Sequence, residues 1–257
     1  MTGMLTTSFD LIRAHAKALN VIRQHYQNQN VAEVSIPRFT KNLTNNSNQW
    51  RVGGISLAHH NDIELRIANS LAGDVYHIAQ FFRKDSLDRT HLTEFTMIES
   101  MRCGDDLNVA IDETLCLLSK VFDALGCAVI PKKHTKKKWL SCCKSESERD
   151  LQEYFSRDKI SGFIVLTHPP INNSDPFPAD YDAVTSNRAE VFFNGIEIAN
   201  IYIDNRDAEK LDKRSAGISR QILEQVSQPT WSAGIGFERA IMCAMDLKEI
   251  SDTRWSM

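Results

Sequence analysis

The amino-acid sequence predicts an α/β fold. Three stretches support this: two strand-like segments joined by a charged loop (75–83 and 94–101), two apolar runs around the dipeptide 194–195, and an amphipathic helix over 104–125. The dipeptide is Asn-Gly, the strongest short signal for a β-hairpin. A chain of 257 residues suffices for one sizeable α/β domain or two small ones, and we expect a single domain over 1–257.

The composition is that of a globular protein in water. Apolar residues make up 42% and charged residues 25%, and the apolar runs are far shorter than a membrane span. Residues 1–7 lack the basic and apolar regions of a secretory signal. The six cysteines form no Cys-x-x-Cys pair, which favours reduced thiols and no zinc site. We therefore expect a cytoplasmic protein without a membrane partner.

The charge distribution argues against a surface built to bind nucleic acid. The formal net charge is -3, whereas proteins that neutralise phosphates usually carry a basic excess. The basic run at 132–138 is a local exception. It is read as a solvated loop, with an acidic partner or acceptor as the alternative.

The N-terminal part is predicted to be a helix followed by a strand. Ser8 or Asp10 can cap a helix that runs to about Tyr26. Residues 31–37 then alternate like a strand and end at Pro37, which cannot donate to a β-ladder.

The next two strands carry candidate ligands for an anion and an amine. Arg83 ends the first strand with a planar guanidinium suited to a phosphate or carboxylate. Alternation along the second puts Phe95, Met97, Glu99 and Met101 on one face. Phe95 and Glu99 would stand roughly 13 Å apart, room for a stacked purine and a held ammonium. Spacing alone favours the alternative, a hairpin with a solvated charged loop.

The hairpin around 194–195 carries two carboxylates. With a two-residue turn, Phe192 faces Glu197. Glu190 then faces Ala199, and the two glutamates become diagonal neighbours about 7–8 Å apart. They would repel each other unless a cation lay between them, which favours Mg²⁺ bridging nucleotide phosphates.

A glycine-rich segment precedes the last helix. Gly234 and Gly236 let the backbone approach a ligand, and Arg239 lies at the start of an apolar helix. A cationic side chain at the positive end of a helix dipole favours a polyphosphate.

Four segments together resemble class II aminoacyl-tRNA synthetases of the lysyl, aspartyl and asparaginyl subgroup. Residues 82–99 resemble motif 2, and 8–37 resemble motif 1. The segment 190–200 matches the family's Glu-(x)6-Glu-(x)2-Asn pattern, and 232–239 resembles motif 3. The likeness is strongest to truncated lysyl-tRNA synthetase paralogues such as the elongation factor P lysine ligase. It implies an antiparallel sheet flanked by helices, no OB-fold, and a homodimer formed through motif 1.

The resemblance also implies a role for each matching residue. Arg83 and Arg239 would be the catalytic arginines. The ATP site would comprise Arg83, Asp85, Arg89, His91, Phe95, Gly234, Gly236 and Arg239. The amino acid would contact Glu99, Met101, Asn200 and Asp204, and Mg²⁺ would bind Glu190 and Glu197.

Several positions depart from the family pattern. Residues 58–62 replace its Ser/Ala-Pro-Glu signature, and Asp85 stands where it usually has glutamate. Met101 replaces a tyrosine and Asp204 a glutamate among the lysine-reading positions, so lysine is not the default substrate. Strict alternation also sends Asn200 and Asp204 to the face opposite Glu197, so a bulge or twist must intervene.

The activity implied is ATP-dependent activation of an amino acid as an aminoacyl adenylate. Because the chain begins almost at motif 1, without the anticodon-reading OB-fold, tRNA is disfavoured as the acceptor. A protein side chain, a small amine or a metabolite would receive the residue. The alternatives are a non-catalytic paralogue that binds nucleotide as a regulator, and a minimal tRNA-aminoacylating enzyme.

Overall fold

The protein is described by a computed structural model. It describes residues 8–40, 49–53, 55–58, 60–84, 87–127, 134–157, 161–172, 177–207 and 228–255. Asp85 therefore lies outside the described residues, as does the part of the basic run before His134. The organisation of 1–257 as a single domain stays a prediction.

An eight-stranded sheet forms the centre of the molecule. In spatial order its strands are β1 (Ala32–Glu33), β5 (Val75–Phe82), β6 (Glu94–Cys103), β11 (Thr230–Gly236), β10 (Ile196–Ile203), β9 (Arg188–Phe193), β8 (Phe163–Thr167) and β7 (Thr135–Lys138). The six inner strands pair antiparallel, and the two edge strands pair parallel to their neighbours. This confirms the predicted antiparallel sheet. A small second sheet contains β2 (Phe39–Thr40), β4 (Ile55–Leu57) and β3 (Arg51–Val52).

Five α-helices surround the sheet in the described part of the chain. They are α1 (Ser8–Gln27), α2 (Asp62–Ala72), α3 (Leu107–Ala124), α4 (Glu148–Arg157) and α5 (Phe237–Ala244). The predicted α1 and α3 are confirmed; α3 begins after Asp106, whose carboxylate accepts from the Asn108 N–H at 2.8 Å. None of the described helices is long and apolar enough to cross a membrane.

The two faces of the sheet differ in what covers them. The largest apolar cluster joins α1, α3 and α5 to one face, with fully buried Ala18, Phe122 and Ile241 among its members. On the opposite face α2 covers the β5–β6 side, and α4 covers the β8–β9 side through Tyr154 and Phe155. The centre of this second face is left to polar residues, and the candidate site lies there.

Two predicted boundaries change in the structure. Of the predicted strand at 31–37, Ala32–Glu33 forms the paired strand β1 and the Val34 N–H still donates to the Tyr76 carbonyl at 2.8 Å, while residues 35–37 continue outside the ladder. The basic run was predicted to be a loop, which is wrong for Thr135–Lys138, because these residues form the edge strand β7. Lysines on an edge strand oppose unwanted pairing with other strands.

Candidate functional site

A β-bulge in the hairpin between β9 and β10 determines the face on which the candidate ligands lie. Asn194 and Gly195 form the turn with φ of 49° and 82°, as a two-residue hairpin requires. Glu197 pairs with Phe192 as predicted. The predicted pairing of Glu190 with Ala199 is wrong, because the register shifts between Glu197 and Ala199 and Glu190 lies opposite Asn200.

The extra residue in this bulge reverses the alternation of β10. Asn200 therefore shares a face with Glu190 and Glu197, although strict alternation places it opposite. The sequence required a bulge or twist at this point, and the structure contains one.

The bulge completes a row of five polar or small residues across five strands. Glu190 pairs with Asn200, Asn200 with Gly234, Gly234 with Glu99, and Glu99 with His77. We call His77, Glu99, Gly234, Asn200 and Glu190 the site row. Adjacent strands are about 4.8 Å apart, so Glu99 and Glu190 stand roughly 14 Å from each other. Three predicted ligand residues are thus brought onto one surface.

Gly234 has no side chain, so the surface of the sheet is shallower at the middle of the site row. A Cβ at this position would lie 3.2 Å from the terminal methyl of Met97 and 3.9 Å from Cγ of Glu99. The first distance is shorter than ordinary carbon contacts. Glycine therefore leaves a shallow place between the side chains of Glu99 and Asn200.

Glu99 is held by a histidine that the sequence interpretation missed. His77 Nε2 lies 2.7 Å from Glu99 Oε2, and the imidazole is 1% exposed. Its Nδ1 atom is buried and has no hydrogen-bond partner among the described residues. Alternation along β5 could have placed His77 on this face, but pairing it with Glu99 required the register of the two strands.

Asn200 also presents an unused polar atom. Its side-chain Oδ1 is buried without a hydrogen-bond partner in the described part of the protein. A buried acceptor without a partner is costly, so this oxygen is suited to accept a hydrogen bond from a bound ligand.

The two candidate metal ligands differ in exposure. The Glu190 side chain is 12% exposed and its Oε1 accepts from Arg188 at 2.9 Å, while the Glu197 side chain is 39% exposed. Burial, and then the charge of Glu197, raises the pKa of Glu190 to about 8, against the opposing effect of Arg188. Among the described residues no group of three or more His, Cys, Asp or Glu side chains could hold a metal ion. Two carboxylates suit Mg²⁺, which takes further oxygens from water and phosphate.

Arg239 connects the last helix to the hairpin and to the loop between β5 and β6. Its Nε donates to the Thr90 carbonyl at 3.0 Å. Its second nitrogen donates to the Glu197 carbonyl at 3.1 Å and lies 3.4 Å from the Glu197 carboxylate. One predicted arginine and one predicted metal ligand are therefore in direct contact.

Arg83 and Phe95 meet at the other end of the motif 2 strands. The guanidinium carbon lies 5.1 Å from the Phe95 ring centroid, a cation–π distance. In the connecting loop His91 Nδ1 lies 2.9 Å from the Asp88 carboxylate, and Arg89 is exposed. The predicted roles of Phe95 and Arg239 in the ATP site stay predictions.

Met101 and Asp204 lie below the surface of the site. Met101 is 0% exposed and packs with Leu65 of α2. The Asp204 side chain is 0% exposed and forms an ion pair of 2.7 Å with Arg66. Burial raises the pKa of Asp204, and the charge of Arg66 opposes this rise. Their predicted contact with an amino acid stays a prediction, and in this structure both side chains lie beneath the open row.

Comparison with solved structures identifies the fold as that of class II synthetases. Asparaginyl-tRNA synthetase of Entamoeba histolytica, solved with asparaginyl-adenylate, superimposes with a TM-score of 0.81 at 14% identity over 96% of this chain. Aspartyl-tRNA synthetase of the same organism gives 0.77 at 18% identity over 95%. The chain spans 66% and 57% of these two proteins.

The chain belongs to the family of class II tRNA synthetases (D, K and N), whose sequence model matches residues 6–255. It is also similar to the elongation factor P–(R)-β-lysine ligase of Erwinia tasmaniensis, with 23% identity over 90% of each chain. These findings confirm the predicted family and identify the chain as a ligase.

Proposed function

We propose that this protein activates an amino acid with ATP, forms an aminoacyl adenylate, and transfers the aminoacyl group to an acceptor other than tRNA. The observation that carries the proposal is the site row, which joins Glu99, Asn200 and Glu190 on one open surface. The contact between Arg239 and Glu197 lies beside this row. Positioning and neutralisation of charge are the main tasks of an enzyme that attacks a phosphate of ATP.

The nucleotide would occupy the side of the row that carries the arginines. Arg83 would hold the α-phosphate and the substrate carboxylate, since a guanidinium binds two oxygens at once. Phe95 and Arg239 would enclose the adenine, and Arg239 would also reach the γ-phosphate. Asp85, Arg89 and His91 of the motif 2 loop would border the adenine and phosphates. Gly234 and Gly236 would let the backbone approach the bound ligand.

Glu190 and Glu197 would hold Mg²⁺. When bound, the ion would supply Lewis-acid neutralisation of the phosphate oxygens. The raised pKa of Glu190 supports this pairing, because burial and a neighbouring carboxylate make its charge unfavourable without a cation.

The amino acid would lie between Glu99 and Asn200. Glu99, oriented by His77, would accept from the ammonium group, and Asn200 would use its Oδ1 acceptor. A protein side chain is the proposed acceptor, because the similar Erwinia tasmaniensis ligase is named for elongation factor P. Transfer to a small amine or to a metabolite instead would contradict this acceptor. We also propose a homodimer formed through α1 and β1, as the family resemblance implies.

ATP–pyrophosphate exchange, measured with Mg²⁺ across the twenty amino acids, tests the proposal. We expect exchange with one amino acid or a narrow group of them. The Arg239→Ala variant should lose at least about 100-fold in exchange rate, the usual effect of removing a charge-stabilising group. Arg254→Ala is the matched control, because Arg254 donates to the Glu94 carbonyl at the surface, outside the site row and outside α1 and β1.

Glu190→Gln and Glu113→Gln form a second matched pair. Glu113 lies on α3, is paired with Arg102, and is also partly buried. The proposal expects a large loss of exchange in the Glu190 variant alone. Tight binding of Mg-ATP without exchange for any amino acid would contradict the proposal and favour a nucleotide-binding regulator. Exchange followed by transfer to tRNA would refute the proposed acceptor.

A further inference from the structure

Beyond the site row the same face of the sheet continues into a second row that is closed. Met101 pairs with Ser232, and Ser232 pairs with Tyr202. These three residues, which we call the inner row, are 0%, 6% and 7% exposed. They lie one alternation step from Glu99, Gly234 and Asn200, about 7 Å further along the strands.

Helix α2 and the segment around Phe177 cover the inner row. Leu65 of α2 forms a buried cluster with Met101, and Ile63 packs with Phe177 and Tyr202. An amino-acid side chain that extends from the site row in this direction therefore meets packed protein atoms within a few ångströms.

The buried carboxylate of Asp204, which lies beside the inner row, is already paired with a cation. Asp204 accepts from Arg66 at 2.7 Å and from the Ser232 hydroxyl at 3.1 Å. Arg66 is held in place by a bond of 2.8 Å to the Asn205 carbonyl, and its guanidinium lies 5.7 Å from the Phe177 ring centroid. A substrate cation would have to displace Arg66 or lie next to its like charge.

A second acid in this layer is also partnered. Asp62 accepts a hydrogen bond from the Tyr202 hydroxyl, and its other oxygen lies 3.0 Å from Nδ1 of His60. Although burial favours the neutral acid, the hydrogen bond and charge of His60 lower the pKa of Asp62. Both carboxylates beside the inner row therefore have basic or hydroxyl partners within the protein.

We propose that the amino acid taken by this site is small and has an uncharged side chain of no more than about two heavy atoms. This inference rests on the proposed function and names its substrate class. A lysine side chain extended from the site row would bring its ammonium to the inner row. There the buried Met101 side chain fills the space, and the Asp204 carboxylate is already paired with Arg66. Removing the partner of a buried charge is strongly unfavourable, so lysine should be disfavoured at least about 100-fold in kcat/KM.

The first experiment is pyrophosphate exchange with wild-type protein. The panel contains glycine, alanine, serine, valine, leucine, lysine, β-lysine and aspartate. We expect the highest kcat/KM for one of the first three. Highest activity with valine, leucine, lysine, β-lysine or aspartate would overturn this inference while leaving the proposed function intact. No exchange with any amino acid would overturn the proposed function, and this inference with it.

Two variants test the inner row directly. Met101→Ala should raise the ratio of valine to alanine kcat/KM at least 10-fold, because it opens space beneath the site row. Ile98→Ala is the matched control, since Ile98 lies on the same strand, is 1% exposed, and belongs to the cluster on the opposite face. An unchanged ratio in folded Met101→Ala would overturn the inference. If that variant fails to fold, Met101→Val provides the same comparison with a smaller change.

A third pair of variants tests the role of charge. Arg66→Met should raise the ratio of lysine to alanine kcat/KM at least 10-fold, because the Asp204 carboxylate loses its partner. Arg66→Lys keeps a cation beside Asp204 and should retain the wild-type preference. If both variants keep the wild-type ratio, Arg66 does not exclude cationic substrates and the charge argument is overturned.

Discussion

The raised pKa of Glu190 gives a quantitative prediction for Mg-ATP binding. A carboxylic acid must lose its proton to bind Mg²⁺, and the pKa of Glu190 in the free protein is about 8. The ionised form is thus about one tenth of the total at pH 7 and about one half at pH 8. Because this pKa is raised, the affinity for Mg-ATP should increase with pH and level off above 8. Below 8 the change should be about 10-fold, or about 1.4 kcal/mol, per pH unit.

Isothermal titration calorimetry between pH 6.5 and 9 measures this dependence. At pH 7, titrations in buffers of different ionisation enthalpy should detect release of nearly one proton on binding. The Glu190→Gln variant should bind Mg-ATP more weakly than wild type at high pH, and its affinity should lose most of the pH dependence. Protons that the nucleotide itself exchanges remain in this variant, so it is the control for them. A wild-type affinity that does not change between pH 7 and 8.5 would refute the reasoning.

Three further predictions concern stability. Phe122→Ala should lower the free energy of unfolding by about 3–5 kcal/mol in urea denaturation, because this ring is 0% exposed and contacts two other phenylalanines. Burial, and then the charge of Lys120, lowers the pKa of His25 to about 4, so stability should fall by about 2 kcal/mol as the pH drops from 6.5 to 4. Equilibrium unfolding across this range should show the loss, and His25→Gln should reduce it. Gly195→Ala should lower the melting temperature at a cost of about 1–2 kcal/mol, because its φ is 82°, a backbone conformation that residues with a Cβ rarely adopt. A melting temperature equal to that of wild type would contradict the strain at this turn.

The elements that carry the site could be predicted from local sequence. The Asn194-Gly195 turn follows from backbone preference, since both residues adopt positive φ. The face shared by Phe95, Met97 and Glu99 follows from alternation in a regular strand. Each inference needs only residues close together along the chain.

The pairing of Glu190 with Asn200 could not be predicted in the same way. The bulge that sets it lies between Glu197 and Ala199, inside an apolar run whose residues look regular. A bulge is stabilised by how the strand packs on both neighbours, β9 and β11, and the latter lies some thirty residues further along the chain. The sequence indicates that an irregularity is needed but not its position.

The ionic partners of the site are non-local for the same reason. Arg66 and Asp204 are 138 residues apart, and Glu197 and Arg239 are 42 apart. Both pairs form only after the sheet has brought distant strands and helices together. Sequence patterns therefore identified the acids, and Arg239 among the bases, but not which base pairs with which acid.

These partners bear on how the site would bind its ligands under the proposed function. Four carboxylates of this face are each paired with a base: Glu99 with His77, Glu190 with Arg188, Glu197 with Arg239, and Asp204 with Arg66. The acids of the first three pairs keep 16%, 12% and 39% of their side chains exposed, whereas the Asp204 side chain is 0% exposed. A divalent cation at Glu197 would compete with Arg239, and the released guanidinium would then be available to a phosphate. Metal and nucleotide should therefore assist each other's binding. The metal would replace Arg239 as the partner of Glu197, and a nucleotide phosphate would replace Glu197 as the partner of Arg239. The buried Arg66–Asp204 pair lies beneath the row and makes no contact with Arg239 or Glu197 among the contacts described above, so under the proposed function it would influence the choice of amino acid rather than the binding of ATP.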